Sequence, residues 1–341
     1  MYTELQRFLR EKDIDIALFF NKDANLTYFT GVRPDGACLA VPQSGKPLLF
    51  VPRFEAGRME KSSLVDVVHV ERDLLGRVCE RFPAKKIGVV PTAISYAQIQ
   101  AVKSKWKTGF IDIGEKCMQL RLVKTRNEVK SVTKACAIAD ALFEELCVCL
   151  PSLRTELDAA SFLKFRMAQL GFEPSFQPIV ASGPNGATPH HVPTHAKLSG
   201  FTVIDFGIVY KNYCSDITRT VFIGSPSAKD KTLYENLLKV QEHCIQKVMP
   251  GTKLEDIDET AHKMVGKTMI HRVGHSLGIE VHDVQPRPWT LQSGCIVTIE
   301  PGTYLPGRLG IRIEDDVLVT EKGPVVLTQS SKDLLSFQQK L

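Results

Sequence analysis

The sequence contains no apolar run that approaches the ~18 residues needed to cross a membrane. Its first residues, MYTELQRFLREKD, are mostly charged or polar and lack the apolar core of a signal peptide. It has no CxxC pair either, although nine cysteines are scattered along the chain. An odd, scattered set of cysteines is typical of free thiols rather than of a disulfide framework. These absences predict a cytoplasmic protein that does not associate with membranes.

A strong charge of one sign is also missing. The chain has 43 basic and 38 acidic residues, and no block of basic residues with interleaved aromatic residues. This pattern argues against nucleic acid as a partner. Hydrophobic residues make up 43% and charged residues 24% of the chain, which indicates a globular protein. A length of 341 residues is enough for two domains with separate cores.

The N-terminal third alternates helical and strand-like segments, which predicts an α/β domain. Helices are expected at Thr3–Lys12 and Ile94–Lys105. Strands are expected at the short apolar runs Ile16–Phe20, Leu26–Thr30, Cys38–Val41, Leu48–Val51, Lys86–Val90 and Gly109–Asp112. This part of the chain has a single histidine, His69, and no carboxylates clustered on apolar faces. We therefore expect the chemistry to lie elsewhere.

A charged stretch from Leu120 leads into a long amphipathic helix that is expected to end before Pro151. We place the domain boundary before this stretch, which gives domains of residues 1–119 and 120–341. A second helix is expected after a Thr155–Asp158 capping box, and it should end near Gly171. Two more helices are expected at Ala228–Val248 and at Thr252–Met269, the last with a Thr252–Glu255 capping box.

Two aspartates lie in the strand-like stretch VIDFGIVYKNYCSDITRTVF, residues 203–222. If Lys211–Asn212 is a two-residue turn, Asp205 faces Thr218 and Asp216 faces Gly207. The two aspartates are then diagonal neighbours on one face of a hairpin. A lone aspartate in a strand is more often a solvated residue. Two carboxylates side by side in a core repel each other unless they are protonated or paired with cations.

Further chemistry-bearing residues follow in three short segments. HRVGHSLGIEVHD, residues 271–283, contains three histidines, and its glycines Gly274 and Gly278 permit close backbone approach around His275. Glu300 ends the strand-like run IVTIE. In GIRIEDDVLV, Ile311 and Ile313 take one face of a strand while Arg312 and Glu314 share the other. Taken singly, a histidine in such a bend is more often a polar loop residue, and Arg312 with Glu314 is more typical of a surface ion pair. Glu300 alone is as typical of an exposed strand edge as of a functional site.

Together the segments supply four carboxylates and one imidazole, from Asp205, Asp216, His275, Glu300 and Glu314. Two divalent cations would neutralise the four carboxylates. One imidazole with oxygen ligands and no cysteine fits Mn²⁺ or another first-row divalent ion better than a structural zinc. Two such ions can hold a bridging hydroxide and polarise a scissile carbonyl. The residues therefore indicate peptide-bond hydrolysis.

The segments IDFG…CSDITRT, GHSLG, IEPGTY and RIEDD, in this order, resemble those of the dinuclear metallopeptidases with the pita-bread fold. That family includes aminopeptidase P, prolidase and methionyl aminopeptidase. The resemblance runs from about Leu120 to the C-terminus. The N-terminal segment more loosely resembles the creatinase-type domain of the Xaa-Pro members. The implied fold class is α/β with two domains, a creatinase-like α/β domain (residues 1–119) and a pita-bread α+β catalytic domain (residues 120–341).

The resemblance also implies a metal-ligand set. Asp205 would chelate the first metal, Asp216 and Glu314 would bridge both metals, and His275 and Glu300 would complete the second. Glu300 would in addition accept a proton from the attacking water. The implied cofactors are two divalent ions, Mn²⁺ first, with Co²⁺ and Zn²⁺ as alternatives.

Four residues outside the ligand set match groups that contact substrate in the family. His190 matches a histidine near the scissile carbonyl, and His282 matches one that hydrogen-bonds the substrate. His271 and Arg312 match groups that line the pocket for proline. The loop before Asp205 is shorter than usual in the family, which leaves the choice between His190 and His191 open, and His195 has no assigned role.

The leading functional hypothesis is an Xaa-Pro aminopeptidase, which removes an N-terminal residue that precedes proline. The alternative is a prolidase restricted to dipeptides, and Asp283 after His282 is more like aminopeptidase P. A non-catalytic binding module or a metal-free creatinase-like hydrolase would be expected to lack the ligand set. The expected partners are proline-containing peptides and further copies of the chain in a homo-oligomer, a dimer or larger.

Overall fold

The structure, a computed structural model, describes residues 2–340. Over these residues the chain divides into two units, and the division falls between Leu122 and Val123. Among the described residues, no helix is both long enough and apolar enough to span a membrane.

The N-terminal unit is built on a six-stranded mixed sheet. Its strands are β1 (Ile16–Phe20), β2 (Cys38–Pro42), β3 (Leu48–Pro52), β4 (Asp66–Val70), β5 (Lys86–Val89) and β6 (Gly109–Asp112). They lie in the order β4-β3-β2-β1-β5-β6, with β1 parallel to β5 and antiparallel to β2. Every residue of β1 and β2 is buried, as expected for central strands that are apolar along their whole length.

Six helices complete the N-terminal unit. They are α1 (Tyr2–Glu11), α2 (Ala24–Thr30), α3 (Arg53–Glu60), α4 (Leu74–Arg81), α5 (Tyr96–Lys105) and α6 (Gly114–Leu122). The prediction of a strand at Leu26–Thr30 is wrong, because these residues belong to α2. Asp23 caps this helix by accepting a hydrogen bond from the Asn25 amide, and Gly31 follows it with φ of 72°. These cap and stop signals outweigh the short apolar run between them.

The C-terminal unit combines four long helices with several small sheets. The helices are α7 (Arg126–Cys149), α8 (Glu156–Gln169), α9 (Ala228–Gln246) and α10 (Leu254–Val265). The strands are β7 (Glu173–Pro174), β8 (Ile179–Ser182), β9 (Gly200–Phe206), β10 (Ile208–Tyr210), β11 (Tyr213–Cys214), β12 (Ile217–Ile223), β13 (Ile296–Ile299), β14 (Gly302–Leu305), β15 (Leu309–Arg312), β16 (Asp315–Thr320), β17 (Gly323–Val326) and β18 (Ser336–Phe337). The sheet orders are β18-β12-β9-β8, β13-β16-β17, β14-β15 and β11-β10-β7.

Helices cover the β9–β12 hairpin and its neighbours. Apolar residues of α7 and α8 form one core with Ile204, Phe206 and Ile217 of the hairpin. Tyr234 of α9 belongs to a second core, which includes Ile311. The Thr155–Asp158 capping box is confirmed at the start of α8. The capping box expected at Thr252–Glu255 is wrong, because the Glu255 carboxylate instead accepts a hydrogen bond from the Trp289 amide at 3.0 Å.

The hairpin has the predicted register. Asp205 lies opposite Thr218 in the antiparallel pairing of β9 with β12. The same register continues beyond Gly207, where Tyr210 pairs with Tyr213. Lys211 and Asn212 have φ of 48° and 70°, the two positive values that a type I′ hairpin turn requires. The two aspartates are therefore held on neighbouring strands by backbone pairing.

Candidate metal centre

The acidic residues of the centre come from the ends of four strands. Asp205 lies on β9, Asp216 directly precedes β12, Glu300 directly follows β13, and Glu314 lies between β15 and β16. The Glu314 amide donates to the Thr218 carbonyl at 3.1 Å, which joins the β15–β16 connection to the hairpin. Asp205, Asp216 and Glu314 are buried, and Glu300 is partly buried. The strand predicted through residues 310–319 is interrupted at Ile313 and Glu314, which lie between β15 and β16.

Asp216, His275 and Glu314 form the centre of this group. Each offers a ligand atom, and these atoms all lie within 4.8 Å of one another. His275 Nε2 lies 3.6 Å from Asp216 Oδ2 and 3.5 Å from Glu300 Oε1. His275 Nδ1 lies 3.1 Å from the Ser276 carbonyl, which must accept the hydrogen bond. The hydrogen on Nδ1 leaves the Nε2 lone pair directed at the carboxylates, as in metal-binding histidines.

The two glycines around His275 allow the close backbone approach that the sequence predicts. A Cβ atom on Gly274 would overlap the Thr298 carbonyl, and one on Gly278 would overlap the Asp283 carboxylate. With the glycine in place, the His275 amide donates to Thr298 Oγ1 at 3.0 Å. The histidine is therefore held against β13, the strand that Glu300 directly follows.

The electrostatics of the centre are those of crowded carboxylates. Burial raises the pKa of Asp216 and of Glu314 well above their usual values, and the neighbouring carboxylates raise them further. Burial raises the pKa of Glu300 to about 7, although Arg312 lowers it in part. Burial lowers the pKa of His275 to about 3, so its imidazole is neutral at pH 7. A bound cation would relieve these effects, because it favours ionised carboxylates and a neutral imidazole.

Arg312 connects the centre to a second histidine. It donates to Asp205 Oδ2 at 2.6 Å and to the Tyr304 hydroxyl at 3.0 Å. Tyr304 lies 2.7 Å from His271 Nε2, and His271 Nδ1 lies 2.8 Å from the Arg272 carbonyl. Because that carbonyl requires the hydrogen on Nδ1, Tyr304 donates to Nε2. Burial lowers the pKa of His271 to about 4, in keeping with this neutral tautomer.

Tyr304 and Thr218 also lie inside this network, although the sequence motifs predicted no role for them. Thr218 Oγ1 accepts from Arg312 Nε at 3.1 Å and donates to Glu314 Oε2 at 2.7 Å. Both residues lie in the motifs IEPGTY and CSDITRT that carry the resemblance. Their positions in these motifs, close to Asp216 and Glu300, could therefore have indicated a role in the site.

The remaining histidines separate into two groups. The rings of His275 and His282 lie 4.1 Å apart, centroid to centroid. Burial lowers the pKa of His282, and the nearby imidazole of His190 lowers it further. His191 instead directs Nε2 at Glu156, 2.8 Å away. The structure thus brings His190, rather than His191, towards His282, while His195 is exposed.

Both parts of the chain match known protein families. Residues 130–321 match the profile of metallopeptidase family M24, and residues 2–123 match that of the creatinase/prolidase N-terminal domain. The fold and these matches define the protein as a two-domain metallopeptidase. More specifically, the chain belongs to metallopeptidase family M24, as the resemblance of the sequence motifs implied.

Relatives are similar along almost the whole chain. The Xaa-Pro dipeptidase of Pyrococcus furiosus is 32% identical over 346 residues, which cover 97% of this chain and 98% of the relative. Prolidase from Pyrococcus horikoshii superposes with a TM-score of 0.90 at 29% identity, covering 97% of this chain and 99% of that one. X-Pro aminopeptidase from Thermotoga maritima gives a TM-score of 0.89 at 29% identity, with the same coverage of both chains.

Membership of a metallopeptidase family implies divalent metal ions, and the residues of the centre fit them. Four buried carboxylate oxygens have no hydrogen-bond partner among residues 2–340, and three of them belong to the centre: Asp205 Oδ1, Asp216 Oδ1 and Glu314 Oε1. The fourth is Asp316 Oδ1. A buried acceptor without a donor is costly, and a carboxylate costs more than a neutral group. Cations coordinated by the three oxygens of the centre would remove that cost. The donor set, rich in carboxylates and with a single imidazole, suits first-row divalent ions.

Proposed function

We propose that this protein is an Xaa-Pro dipeptidase, which hydrolyses the bond between an N-terminal residue and a C-terminal proline. The observation that carries the proposal is the similarity to the Pyrococcus furiosus Xaa-Pro dipeptidase, which extends over both domains. The similarity to a prolidase structure over the same length supports it. These comparisons favour the prolidase alternative over the Xaa-Pro aminopeptidase that led the sequence-based hypotheses.

We propose Asp205, Asp216, His275, Glu300 and Glu314 as the ligands of two divalent metal ions. Their clustering and the three carboxylate oxygens without hydrogen-bond partners support this assignment. When bound, such ions activate water at neutral pH and polarise the carbonyl group of the scissile bond. The oxygen-rich donor set favours Mn²⁺.

Three side chains of the centre would act on the substrate and on protons. Glu300 Oε1, beside His275, would accept a proton from the attacking water and pass it towards the departing proline nitrogen. The neutral His282 would donate a hydrogen bond to the oxygen that gains negative charge. His190, which is exposed, would hold the carbonyl group of the substrate in position.

The proline side of the substrate would lie against His271, Tyr304 and Arg312. Proline has no N–H to donate, and its ring fixes φ, so recognition must rely on shape and on groups beyond the nitrogen. The hydrogen-bonded row from His271 through Tyr304 to Arg312 would form one wall of the pocket for proline, and it ends in the Arg312–Asp205 ion pair.

A second candidate is the Xaa-Pro aminopeptidase, which accepts longer peptides. The similarity to the Thermotoga maritima X-Pro aminopeptidase supports this candidate. Asp283 after His282 supports it as well.

The proposal also includes a reducing, cytoplasmic environment and a homo-oligomer. All nine cysteines are free thiols in the structure, and six are buried. The family resemblance is the support for the oligomer. Light scattering of the purified protein at several concentrations would measure its mass.

Hydrolysis of three matched substrates tests whether the protein is a dipeptidase or an aminopeptidase. The assay uses protein of measured metal content in the presence of Mn²⁺. The substrates are an Ala-Pro dipeptide, the same sequence extended by two residues, and Ala-Ala as a control for proline specificity. The proposal expects cleavage of Ala-Pro alone. Cleavage of the extended peptide at the Ala-Pro bond would instead establish the aminopeptidase. If metal-loaded protein cuts neither proline substrate, both candidates are wrong.

A further inference from the structure

One buried carboxylate organises the loop that carries His190. Glu156 is the first residue of α8, and it is fully buried. Its Oε1 accepts from the Ser182 amide at 2.8 Å and from Asn185 Nδ2 at 2.9 Å. Its Oε2 accepts from the Thr194 amide at 3.1 Å and from the Thr194 hydroxyl at 2.8 Å. His191 Nε2 lies 2.8 Å from the same oxygen. Residues 182 and 194, at the two ends of the loop, are thereby joined to one side chain.

The backbone at the start of α8 reinforces this junction. The first amides of a helix have no partner within the helix. Here the Glu156 amide donates to the Ala196 carbonyl at 3.0 Å, and the Leu157 amide donates to the Thr194 carbonyl at 2.9 Å. The loop therefore supplies the caps that α8 needs, and α8 in turn fixes the end of the loop.

The other side of the loop is fixed against β15. A Cβ atom on Gly310 would overlap the Gly186 carbonyl, so the two backbones are in direct contact. Arg312 Nη1 lies 3.4 Å from the Pro189 carbonyl, directly before His190. The residues on both sides of His190 thus have fixed partners, Arg312 for Pro189 and Glu156 for His191.

His190 itself is exposed between these two anchors. Burial on its own would raise the pKa of Glu156, but the hydrogen bonds from Ser182, Asn185, His191 and Thr194 lower it below its usual value. Glu156 is therefore ionised at neutral pH. Hydrogen bonds to an ionised carboxylate are about twice as strong as those between neutral groups. A strong clamp on the neighbouring residue limits the positions that the His190 imidazole can take.

We propose that Glu156 and His191 are positioning residues for His190: they hold the loop of residues 182–194 so that the His190 imidazole faces the substrate. The inference rests on the role of His190 in the proposed function. It assigns His191 a different task from its neighbour, since His191 acts through Glu156 and contacts no reacting group.

The test varies His191, because Glu156→Gln would place an N–H group against several donors and could unfold the loop with its surroundings. His191→Leu removes the hydrogen bond to Glu156. His191→Gln keeps a donor at nearly the position of Nε2. His195→Leu, which changes an exposed histidine directly after this loop, is the matched control. Each variant is made in the wild-type chain and in His190→Ala, and each is loaded with Mn²⁺.

If Glu156 and His191 position His190, the variants should show a specific pattern in kcat for Ala-Pro. His191→Leu should lower kcat by roughly ten- to a hundredfold, as expected when a catalytic group is displaced by about 1 Å. His191→Gln and His195→Leu should stay within about threefold of wild type, and metal content should be unchanged in all. In the His190→Ala background, His191→Leu should have no further effect, because a positioning residue loses its task with the group it positions. An equal loss in both backgrounds would overturn the proposal.

Hydrogen exchange of the backbone amides tests the clamp independently of substrate. His191→Leu should speed exchange at residues 182–195 in the metal-loaded protein, and His191→Gln should not. Unchanged exchange in His191→Leu would refute the clamp whatever the protein cleaves. If exchange responds as expected but the wild type cleaves no proline substrate, the proposed function fails, and the role of His190 on which this inference depends fails with it.

Discussion

Arg312 and Asp205 form a buried ion pair in which Arg312 Nη2 donates to Asp205 Oδ2 at 2.6 Å. The other oxygen of the same carboxylate, Oδ1, is buried and has no hydrogen-bond partner among residues 2–340. Asp205 therefore gives one oxygen to a permanent cation on the chain, and the second is the oxygen that we propose binds a metal ion. This division explains how a buried carboxylate can stay correctly oriented before metal binds.

We expect Arg312→Ala to destabilise the metal-free protein far more than the metal-loaded protein. Removing one partner of a buried ion pair leaves an uncompensated charge and costs about 3–5 kcal/mol. A metal ion on Asp205 would compensate much of that charge. Urea unfolding with chelator and with Mn²⁺ measures the difference, and Arg308→Ala, at an exposed arginine, is the control. Equal destabilisation in both conditions would show that Asp205 does not contact the metal.

Glu300 gives the metal-free protein a pH dependence with a definite sign. Because burial raises its pKa to about 7, the folded state binds the proton more tightly than the unfolded state does. The stability contributed by the neutral form is fully present below about pH 4, and it is lost as the pH rises through about 7. Glu300→Gln, which is always neutral, should match wild type near pH 4. Above pH 7 it should be more stable, by up to roughly 3 kcal/mol.

Urea unfolding of metal-free wild type and Glu300→Gln between pH 4 and pH 8 checks this prediction. A stability difference that does not change with pH would contradict it. With Mn²⁺ bound the order should reverse, since the amide is a poorer ligand than the carboxylate.

His282→Ala should leave the metal content intact while turnover falls. Loss of one hydrogen-bond donor to the developing oxyanion typically lowers kcat by about 10²–10³-fold. Metal analysis and kcat for Ala-Pro are measured on the same sample, with His243→Ala, at an exposed histidine of α9, as the control. Loss of metal from His282→Ala would make this residue a ligand instead.

The hairpin that holds the two aspartates was predictable because its determinants are local. Alternating β-branched residues and a two-residue turn set the register, and the register places Asp205 opposite Thr218. The helix α2 was not predicted, because its apolar residues suit a strand equally well. The N-cap at Asp23 and the C-cap at Gly31 favour a helix over a strand, but only for a segment as short as the one between them.

The contacts around the site depended on long-range packing that spacing in the sequence does not encode. Glu156 lies 26 residues before Ser182 and 38 residues before Thr194. In the sequence, the capping box of Thr155 and Asp158 explains this segment as a helix start and predicts no contact for Glu156. The choice between His190 and His191 was likewise undecidable from the sequence. Only the fold shows that His191 faces Glu156.

The most direct test of the account is a metal titration of Ala-Pro hydrolysis by chelator-treated protein, beside Asp216→Asn and Glu314→Gln. The account predicts that wild type is inactive without metal and reaches full turnover when two ions are bound per chain. It predicts that both variants bind fewer than two ions and remain inactive, because each lacks a carboxylate proposed to bridge the pair. Full turnover by metal-free protein, or normal turnover by either variant, would contradict the proposed metal centre.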